Sequence, residues 1–266
     1  MPAADKRARK KENARAAREQ REAAEKRRKR IKSTTRIGIA VALFVGLIVI
    51  LNVAGGGKKK SETPTSTTTL PAVLNGCKTL TPDKGKQQSF AKPDLVTFDP
   101  NKTYVATVET SCGTFEITLD TKNAPKGAGN FAFLADKGFY NGLAWGRVAK
   151  DFVIQGGDYD GTTAGDAGYS LTTETPSDGF KVGTVGWAKT DSAPAGDAGS
   201  EFFVVTGNTL AALNQKVGGK VQYGAFGKVT KGLDVAQKIA SFYPPDTGDG
   251  APTQPVFMYK VTIKAT

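Results

Sequence analysis

The stretch WGRVAKDFVIQGGD at residues 145–158 decides the fold. Its second half is a short apolar run closed by two glycines, which is typical of a buried β-strand. Comparable alternating or apolar runs lie at 104–110, 114–120, 202–206, 225–229 and 256–264. Only two segments, 126–137 and 233–241, have a helical pattern. Many short strands with two helices predict a mainly β fold, a closed or nearly closed antiparallel barrel without exposed strand edges.

The residue types that the chain lacks exclude most familiar catalytic sites. There is no histidine, and the only cysteines are Cys77 and Cys112. A Ser-His-Asp or Cys-His arrangement has no base, a histidine-containing zinc site has no ligand, and a C-x-x-C redox pair is missing. Any reaction must use arginine, carboxylate or hydroxyl groups. The two cysteines either form a disulfide or remain free thiols, and their spacing leaves both alternatives open.

The positive charge of the chain lies in its first 36 residues. These carry fifteen Lys/Arg and five Asp/Glu, whereas residues 61–266 carry nineteen basic and twenty acidic side chains. The high isoelectric point therefore does not describe the folded part, for which no nucleic-acid partner is expected. We interpret residues 1–36 as a basic tail that acts as a topology signal. The alternative is that this tail is attracted to anionic lipid headgroups or to nucleic acid.

An uncharged segment follows the basic tail. It begins with IGIAVALFVGLIVIL at 37–51 and stays uncharged through Gly57. Because residues 37–57 are long enough to cross a hydrocarbon core about 30 Å thick, we predict one transmembrane helix that anchors the chain in the lipid bilayer. The excess of Lys/Arg before it places the N-terminus in the cytoplasm and the C-terminal part outside. A cleavable signal peptide is the alternative, although the basic region before it is unusually long for one.

The segment 58–98 connects this helix to the folded domain. Its first part, up to residue 70, is rich in Gly, Lys, Ser, Thr and Pro and predicts a flexible spacer. Its second part is a polar approach segment without an assignable pattern. The predicted organisation is a basic cytoplasmic tail at 1–36, a transmembrane helix at 37–57, a flexible linker and approach segment at 58–98, and a folded domain at 99–266.

Four stretches of the folded domain carry a resemblance to a known family. The sequence 145–158 resembles the cyclophilin signature of an Arg-Val pair, then Phe, then Gln-Gly-Gly-Asp. It is joined, in the family's order, by APKGAGNFAFLADKGFYNG at 124–142, AGSEFFVVTG at 198–207 and YGAFGKVTKGLDV at 223–235. The resemblance implies an eight-stranded antiparallel barrel capped by two helices. It also implies the activity of a peptidyl-prolyl cis/trans isomerase.

The resemblance also implies roles for individual residues. Arg147 would donate a hydrogen bond to the prolyl nitrogen of the twisted amide, and Gln155 would hold the guanidinium in its orientation. The apolar residues implied to surround the proline ring are Phe152 as the floor, Val153 and Phe203 as walls, and Leu213 near the rim. Ordinary core packing is the alternative for each apolar residue, and capping of local backbone groups is the alternative for Gln155.

Several positions depart from the family pattern. Gly146 stands where many members have a histidine, and Tyr223 stands near another histidine of the pocket rim. Glu201 occupies the usual glutamine position before Phe-Phe, where its carboxylate could pair with Arg147 or bind a peptide N–H. The rim tryptophan of many members is absent from 210–213, which puts cyclosporin-like ligands in doubt. Lys189 replaces a common asparagine, so the resemblance does not imply the family's peptide contact at that position.

These observations predict an enzyme that needs no cofactor and no metal, because rotation about an X-Pro amide breaks no covalent bond. Its expected partners are proline-containing polypeptides, and its expected task is to assist the folding of extracytoplasmic proteins at a bacterial plasma membrane. The first alternative is a tethered module that binds proline segments with little or no catalysis. A second alternative makes the basic tail the active part.

Overall fold

The computed structural model describes residues 73–163 and 166–266. The predicted basic tail at 1–36 and the predicted transmembrane helix at 37–57 lie outside these residues. Within the described ranges, no helix is both long enough and apolar enough to cross a membrane.

The described chain folds mainly into antiparallel β-structure. Its strands are β1 Val73–Leu74, β2 Cys77–Lys78, β3 Tyr104–Thr110, β4 Gly113–Leu119, β5 Trp145–Ala149, β6 Val153–Gly156, β7 Leu171–Thr172, β8 Thr184–Trp187, β9 Asp197–Ala198, β10 Phe202–Val205, β11 Lys216–Val217, β12 Lys220–Val221, β13 Ala225–Lys231, β14 Asp249–Gly250 and β15 Met258–Ala265. The helices are α1 Pro125–Asp136, α2 Ala211–Asn214 and α3 Leu233–Ala240.

Nine of the strands form one sheet in the order β14-β5-β6-β10-β8-β13-β4-β3-β15. Its two ends approach each other, because Ala144 and Phe257 form an isolated antiparallel bridge. Beside this bridge, the Trp145 N–H donates to the Val256 carbonyl at 2.9 Å and the Met258 N–H donates to the Leu143 carbonyl at 2.8 Å. The sheet therefore curls until the segment before β15 meets the segment before β5.

The mainly β prediction is confirmed, but the main sheet has nine strands instead of eight, and the described residues contain three helices instead of two. The strand of the main sheet that was not expected is β14, which has only two residues and lies in a loop rich in Pro, Gly and Asp, where a β pattern is absent. It is a strand because its backbone pairs with Ala149 and Val148 of β5. The additional helix, α2, is a four-residue turn. Tertiary pairing and a single turn leave no periodicity in a sequence.

Alternation of side chains explains which face of the sheet forms the core. In β4, Phe115, Ile117 and Leu119 are buried, whereas the residues between them are partly exposed. This period of two places alternate residues on one face of a strand. These side chains belong to the main core cluster, which also contains Phe131 of α1 and Phe226 of β13. The Phe131 ring stacks on Phe226 with the ring centres 4.8 Å apart, so α1 packs against the core of the sheet.

The described part of the predicted linker, 73–98, contacts the domain. Cys77 forms a disulfide with Cys112, which lies in the turn between β3 and β4. Farther along the segment, the Phe90 ring packs edge-on against Phe133 of α1 at 5.0 Å between ring centres. A few side chains and one covalent bond therefore attach a polar segment that has no core of its own.

Candidate active site

A cleft of about 670 Å³ brings together all the side chains that the sequence predicts for catalysis and substrate binding. The predicted residues that line it are Arg147, Phe152, Val153, Gln155, Glu201, Phe203, Leu213 and Tyr223. Arg147, Phe152, Val153, Gln155, Glu201 and Phe203 come from β5, β6 and β10 or lie beside them, and these three strands are neighbours in the sheet. Leu213 lies in α2, and Tyr223 precedes β13. Gln155 and Phe203, 48 positions apart in the chain, are adjacent here because antiparallel pairing aligns them.

The register of the strands determines which side chains face the cleft. Arg147 of β5 pairs with Gln155 of β6, and Gln155 pairs with Phe203 of β10. Directly paired residues lie on the same side of a sheet. Both Arg147 and Phe203 are thereby placed next to Gln155.

A bulge in β5 precedes Arg147. The pairing of β5 with β6 shifts register between Trp145 and Arg147, and such irregularities re-aim the side chains beside them. Trp145 is buried in the core, whereas Arg147 lines the cleft. At Gly146, a side chain would begin 2.7 Å from the Gly161 carbonyl oxygen, so the backbone approach excludes the histidine that the family pattern favours there.

Arg147 is held by two side chains. Its Nε donates to Asp249 Oδ1 at 2.7 Å and its Nη2 donates to Asp249 Oδ2 at 2.6 Å, which makes a bidentate pair. Its Nη1 donates to Gln155 Oε1 at 3.0 Å. The hydrogen bond to Asp249 raises the pKa of Arg147 and outweighs the lowering by burial, so the guanidinium stays charged.

Gln155 also connects Arg147 to Glu201. Gln155 Nε2 donates to Glu201 Oε2 at 3.1 Å, so the carboxylate reaches Arg147 through the amide and makes no direct ion pair with it. The four side chains Asp249, Arg147, Gln155 and Glu201 form a hydrogen-bonded chain across neighbouring strands, which we call the polar row. Asp249 lies on β14, and Glu201 immediately precedes β10.

Glu201 forms the less exposed end of this row, and Asp249 forms the more exposed end. Burial raises the pKa of its carboxyl to about 7; the Asp158 charge acts in the same direction, while the hydrogen bond from Gln155 and the charge of Arg147 oppose it. Its Oε1 is buried and has no hydrogen-bond partner among the described residues. Near neutral pH, a substantial fraction of this side chain is therefore an uncharged carboxylic acid, close in shape and polarity to a glutamine.

The apolar floor of the cleft consists of Phe152, Val153, Phe203 and Leu213. Three of these are buried, and Phe152 is partly exposed. Phe203 lies over Gly186, where a side chain would begin 2.7 Å from the end of its ring. The missing side chain at 186 is thus what gives the Phe203 ring its space.

A turn fixes Phe152 near Leu213. The Asp151 carboxylate accepts hydrogen bonds from the Asn208 N–H at 3.0 Å and from the Thr209 hydroxyl at 3.3 Å. The Phe152 carbonyl accepts the Thr206 N–H at 2.9 Å. These bonds attach the β5–β6 turn to the segment that leads into α2, which contains Leu213.

Tyr223 and Lys189 form part of the cleft rim. The Tyr223 ring packs edge-on against Phe203 at 6.0 Å between ring centres. Burial raises the pKa of Tyr223, and the charge of Asp191 adds to this effect. The Lys189 ammonium lies 5.2 Å above the Tyr223 ring and donates to the carbonyls of Thr190 and Ala193, each at 3.1 Å. Lys189 is therefore folded along the rim.

Sequence reasoning missed Asp249. It lies 102 positions from its partner Arg147, in the loop PPDTGDG, and no motif or periodicity marks it. The one available signal is chemical: Arg147 is the only arginine after residue 36, and a partly buried guanidinium needs an acceptor. Among the described residues, no group of three His, Cys, Asp or Glu side chains could hold a metal ion.

The chain is similar in sequence to known proteins. Residues 105–263 match the family model described as "Cyclophilin type peptidyl-prolyl cis-trans isomerase/CLD". The chain is 38% identical over 151 residues to peptidyl-prolyl cis-trans isomerase-like 1 of Neurospora crassa, covering 55% of this chain and 86% of that protein. It is 35% identical to a peptidyl-prolyl cis-trans isomerase of Acinetobacter baylyi, covering 59% of this chain and 84% of the relative.

A solved structure shares the fold. The crystal structure of a Cryptosporidium parvum cyclophilin-type isomerase, determined in the presence of the dipeptide Ala-Pro, superposes with a TM-score of 0.51 and 25% sequence identity. The superposition covers 61% of this chain and 99% of the parasite protein.

Proposed function

The chain belongs to the family of cyclophilin-type peptidyl-prolyl cis-trans isomerases and is an enzyme of that type, and we propose that Arg147 catalyses X-Pro rotation by donating a hydrogen bond to the prolyl nitrogen. The observation that carries this mechanism is the position of one charged guanidinium in a cleft with an apolar floor. Proline-containing polypeptides fit both features, since their ring is apolar and their amide is polar.

The barrier determines what such a site must do. Rotation about a peptide bond costs about 18–20 kcal/mol, because the partial double bond between carbon and nitrogen is lost as the amide twists. The nitrogen lone pair, delocalised in the planar amide, becomes localised in the twisted state. A donor aimed at that nitrogen therefore binds the transition state more tightly than the planar ground state, which accelerates the rotation.

Arg147 has N–H groups that its protein partners do not use. A guanidinium carries five N–H groups, and Asp249 and Gln155 together take three of them. One N–H on each terminal nitrogen remains for the peptide. Because the pKa of Arg147 is raised, these donors remain available throughout the physiological pH range.

The apolar floor supplies the second part of the mechanism. A proline ring against Phe152, Phe203 and Leu213 removes apolar surface from water, at about 25 cal/mol per Å². This contact holds the proline ring in place while the residue before it rotates about the C–N bond. Since no covalent bond is made, neither a nucleophile nor a metal takes part in the proposed step.

The test measures cis/trans exchange of an Ala-Pro peptide by NMR, with the full chain in detergent micelles. Arg147→Ala should reduce the catalysed exchange rate at least about tenfold, or about 1.4 kcal/mol of transition-state stabilisation. Lys150→Ala is the matched control, because it removes an exposed cation from the turn that follows β5. It should leave the rate unchanged.

Two other outcomes would change the proposal. Acceleration that survives Arg147→Ala would keep the enzyme and reject the arginine as the donor. Peptide binding by the parent without accelerated exchange would favour the tethered binding module, with Glu201 as the first residue to examine.

We further propose that the enzyme acts on extracytoplasmic proteins from a bacterial plasma membrane. The support is the uncharged run at 37–57, the Lys/Arg excess before it, and the disulfide, which is a bond of oxidising compartments. Uncatalysed X-Pro isomerisation takes roughly 10–100 s and can limit folding, so secreted chains would benefit.

Cell fractionation tests this location. The full chain should remain in the membrane pellet after an alkaline wash, and protease added to spheroplasts should degrade the folded domain. A variant without residues 37–57 should appear in the soluble fraction. Protection of the domain from external protease would reverse the proposed orientation.

A further inference from the structure

Asp249 is an unexpected partner for the residue at the centre of the cleft. It lies on β14, where its backbone pairs with Ala149 of β5 and that of Gly250 pairs with Val148. β14 is thus aligned beside the strand that bears Arg147. The Asp249 carboxylate reaches the guanidinium with both oxygens, at 2.7 and 2.6 Å.

We propose that Asp249 is a positioning residue for the isomerase reaction, one that fixes the guanidinium plane of Arg147 so that its free N–H groups face the bound peptide. The inference rests on the function proposed for Arg147. It assigns to the β14 loop a role in catalysis that neither the sequence motifs nor the floor of the cleft supplies.

The geometry of the guanidinium supports positioning. Asp249 occupies the edge formed by Nε and Nη2, and Gln155 accepts from Nη1. Three hydrogen bonds to two partners fix the plane of the guanidinium. Gln155 alone would leave the guanidinium free to rotate about the single hydrogen bond from Nη1 to Gln155. An arginine side chain has many rotamers, and a bidentate carboxylate selects among them.

The loop that bears Asp249 is itself fastened. The Gly248 N–H donates to the Pro244 carbonyl at 2.8 Å, and the Lys150 N–H donates to the Gly248 carbonyl at 2.7 Å. The Thr247 hydroxyl donates to the Asp249 carbonyl at 2.8 Å. Because hydrogen bonds fix this loop, the Asp249 carboxylate can keep the guanidinium in one orientation. A carboxylate on a mobile loop could not do so.

Exposure argues against a mainly structural role for the pair. The side chains of Arg147 and Asp249 are 31% and 47% exposed, so water can solvate either charge when the other is removed. Small errors in the placement of a catalytic group, in contrast, lower rates severely. Loss of Asp249 should therefore be visible in the rate and barely visible in unfolding.

The experiment compares Asp249→Asn with Asp246→Asn in the full chain. Asparagine keeps the size of the side chain, but its NH₂ group faces a guanidinium N–H, so one of the two hydrogen bonds is lost. Asp246 is exposed in the same loop, and its substitution removes an equal charge. Asp249→Asn should lower kcat about tenfold and change KM less than twofold, whereas Asp246→Asn should change neither.

A second readout follows the guanidinium itself. The ¹⁵Nε–Hε NMR signal of Arg147, assigned by its absence in Arg147→Lys, should exchange with water faster in Asp249→Asn than in the parent. Unchanged kcat, or a rise in kcat showing that Asp249 withholds the donor, would overturn positioning. If the parent does not accelerate exchange, the function proposed for Arg147 fails. In that case the Nε–Hε signal still tests whether Asp249 positions the guanidinium. Exchange with water at the same rate in Asp249→Asn and in the parent would overturn the inference.

Discussion

The polar row and the apolar floor lie side by side in one cleft, but different forces hold their side chains. Hydrogen bonds hold the row, and its Arg147–Asp249 end is partly exposed. Packing holds the floor, where Val153 and Phe203 are 2% and 3% exposed. A substitution in the floor therefore changes stability and peptide binding together. A substitution in the row changes the direction of donors at a small cost in stability, so the row is where chemistry can be tested separately.

The largest effect is expected in the floor, for Phe203→Ala. Its ring packs against Phe180 at 5.6 Å between ring centres and against Tyr223, so truncation leaves a cavity. We expect a loss of about 3–5 kcal/mol in the free energy of unfolding, measured by urea denaturation. Phe203→Leu should cost clearly less, because it retains most of the apolar volume. A loss below about 1 kcal/mol would show that the floor is not held by packing.

Phe152→Ala should separate binding from packing within the floor itself. Because Phe152 is partly exposed, we expect a smaller stability loss than at Phe203, together with a rise of about tenfold in KM for proline peptides. Tenfold corresponds to about 1.4 kcal/mol of lost binding. Kinetics and urea unfolding of the same variant give both numbers. Equal stability losses at the two phenylalanines would remove the proposed distinction between them.

Glu201→Gln tests the buried end of the polar row through pH. Burial raises the Glu201 pKa from 4.5 to about 7, so folding favours the protonated carboxyl. Its contribution to stability is complete below about pH 4.5 and is lost as the pH rises through about 7. Glutamine does not titrate, so the parent should lose stability relative to Glu201→Gln between pH 5 and pH 8. If the free energies of unfolding of the parent and of Glu201→Gln change in parallel with pH, folding does not raise the pKa of Glu201.

Tyr223→Phe should have the smallest effect. The Tyr223 ring contacts Phe203, but its hydroxyl makes no hydrogen bond to another described residue. We expect a change of less than about 0.5 kcal/mol in the free energy of unfolding, because the ring contact remains. The same urea measurement applies. A larger loss would indicate that the hydroxyl is part of the polar network of the cleft.

Much of the site could be predicted from the sequence, because Arg147, Phe152 and Gln155 belong to one continuous stretch that resembles the cyclophilin signature. Pairing of β5 with β6 then places Arg147 beside Gln155. The contact between Asp249 and Arg147 could not be predicted in this way. It depends on a two-residue strand within an irregular loop, whose position is set by pairing with β5.

Glu201 shows a second limit of sequence reasoning. Its position before Phe-Phe is evident, but direct pairing with Arg147 and binding of a peptide N–H remained open. The structure inserts Gln155 between the two charged groups. A pattern of residue types does not specify which of two neighbours accepts a hydrogen bond, because that choice depends on side-chain reach across the strands.

The Cys77–Cys112 bond determines how mechanical tension would enter the domain. A pull on the chain ahead of Cys77 would pass through the sulfur atoms directly into the turn between β3 and β4. The residues between the two cysteines, β3 included, would be bypassed by this covalent path and would keep their pairing in the sheet. Unravelling from this end would therefore stop at the disulfide, and the strands that shape the cleft would resist the force as parts of one sheet.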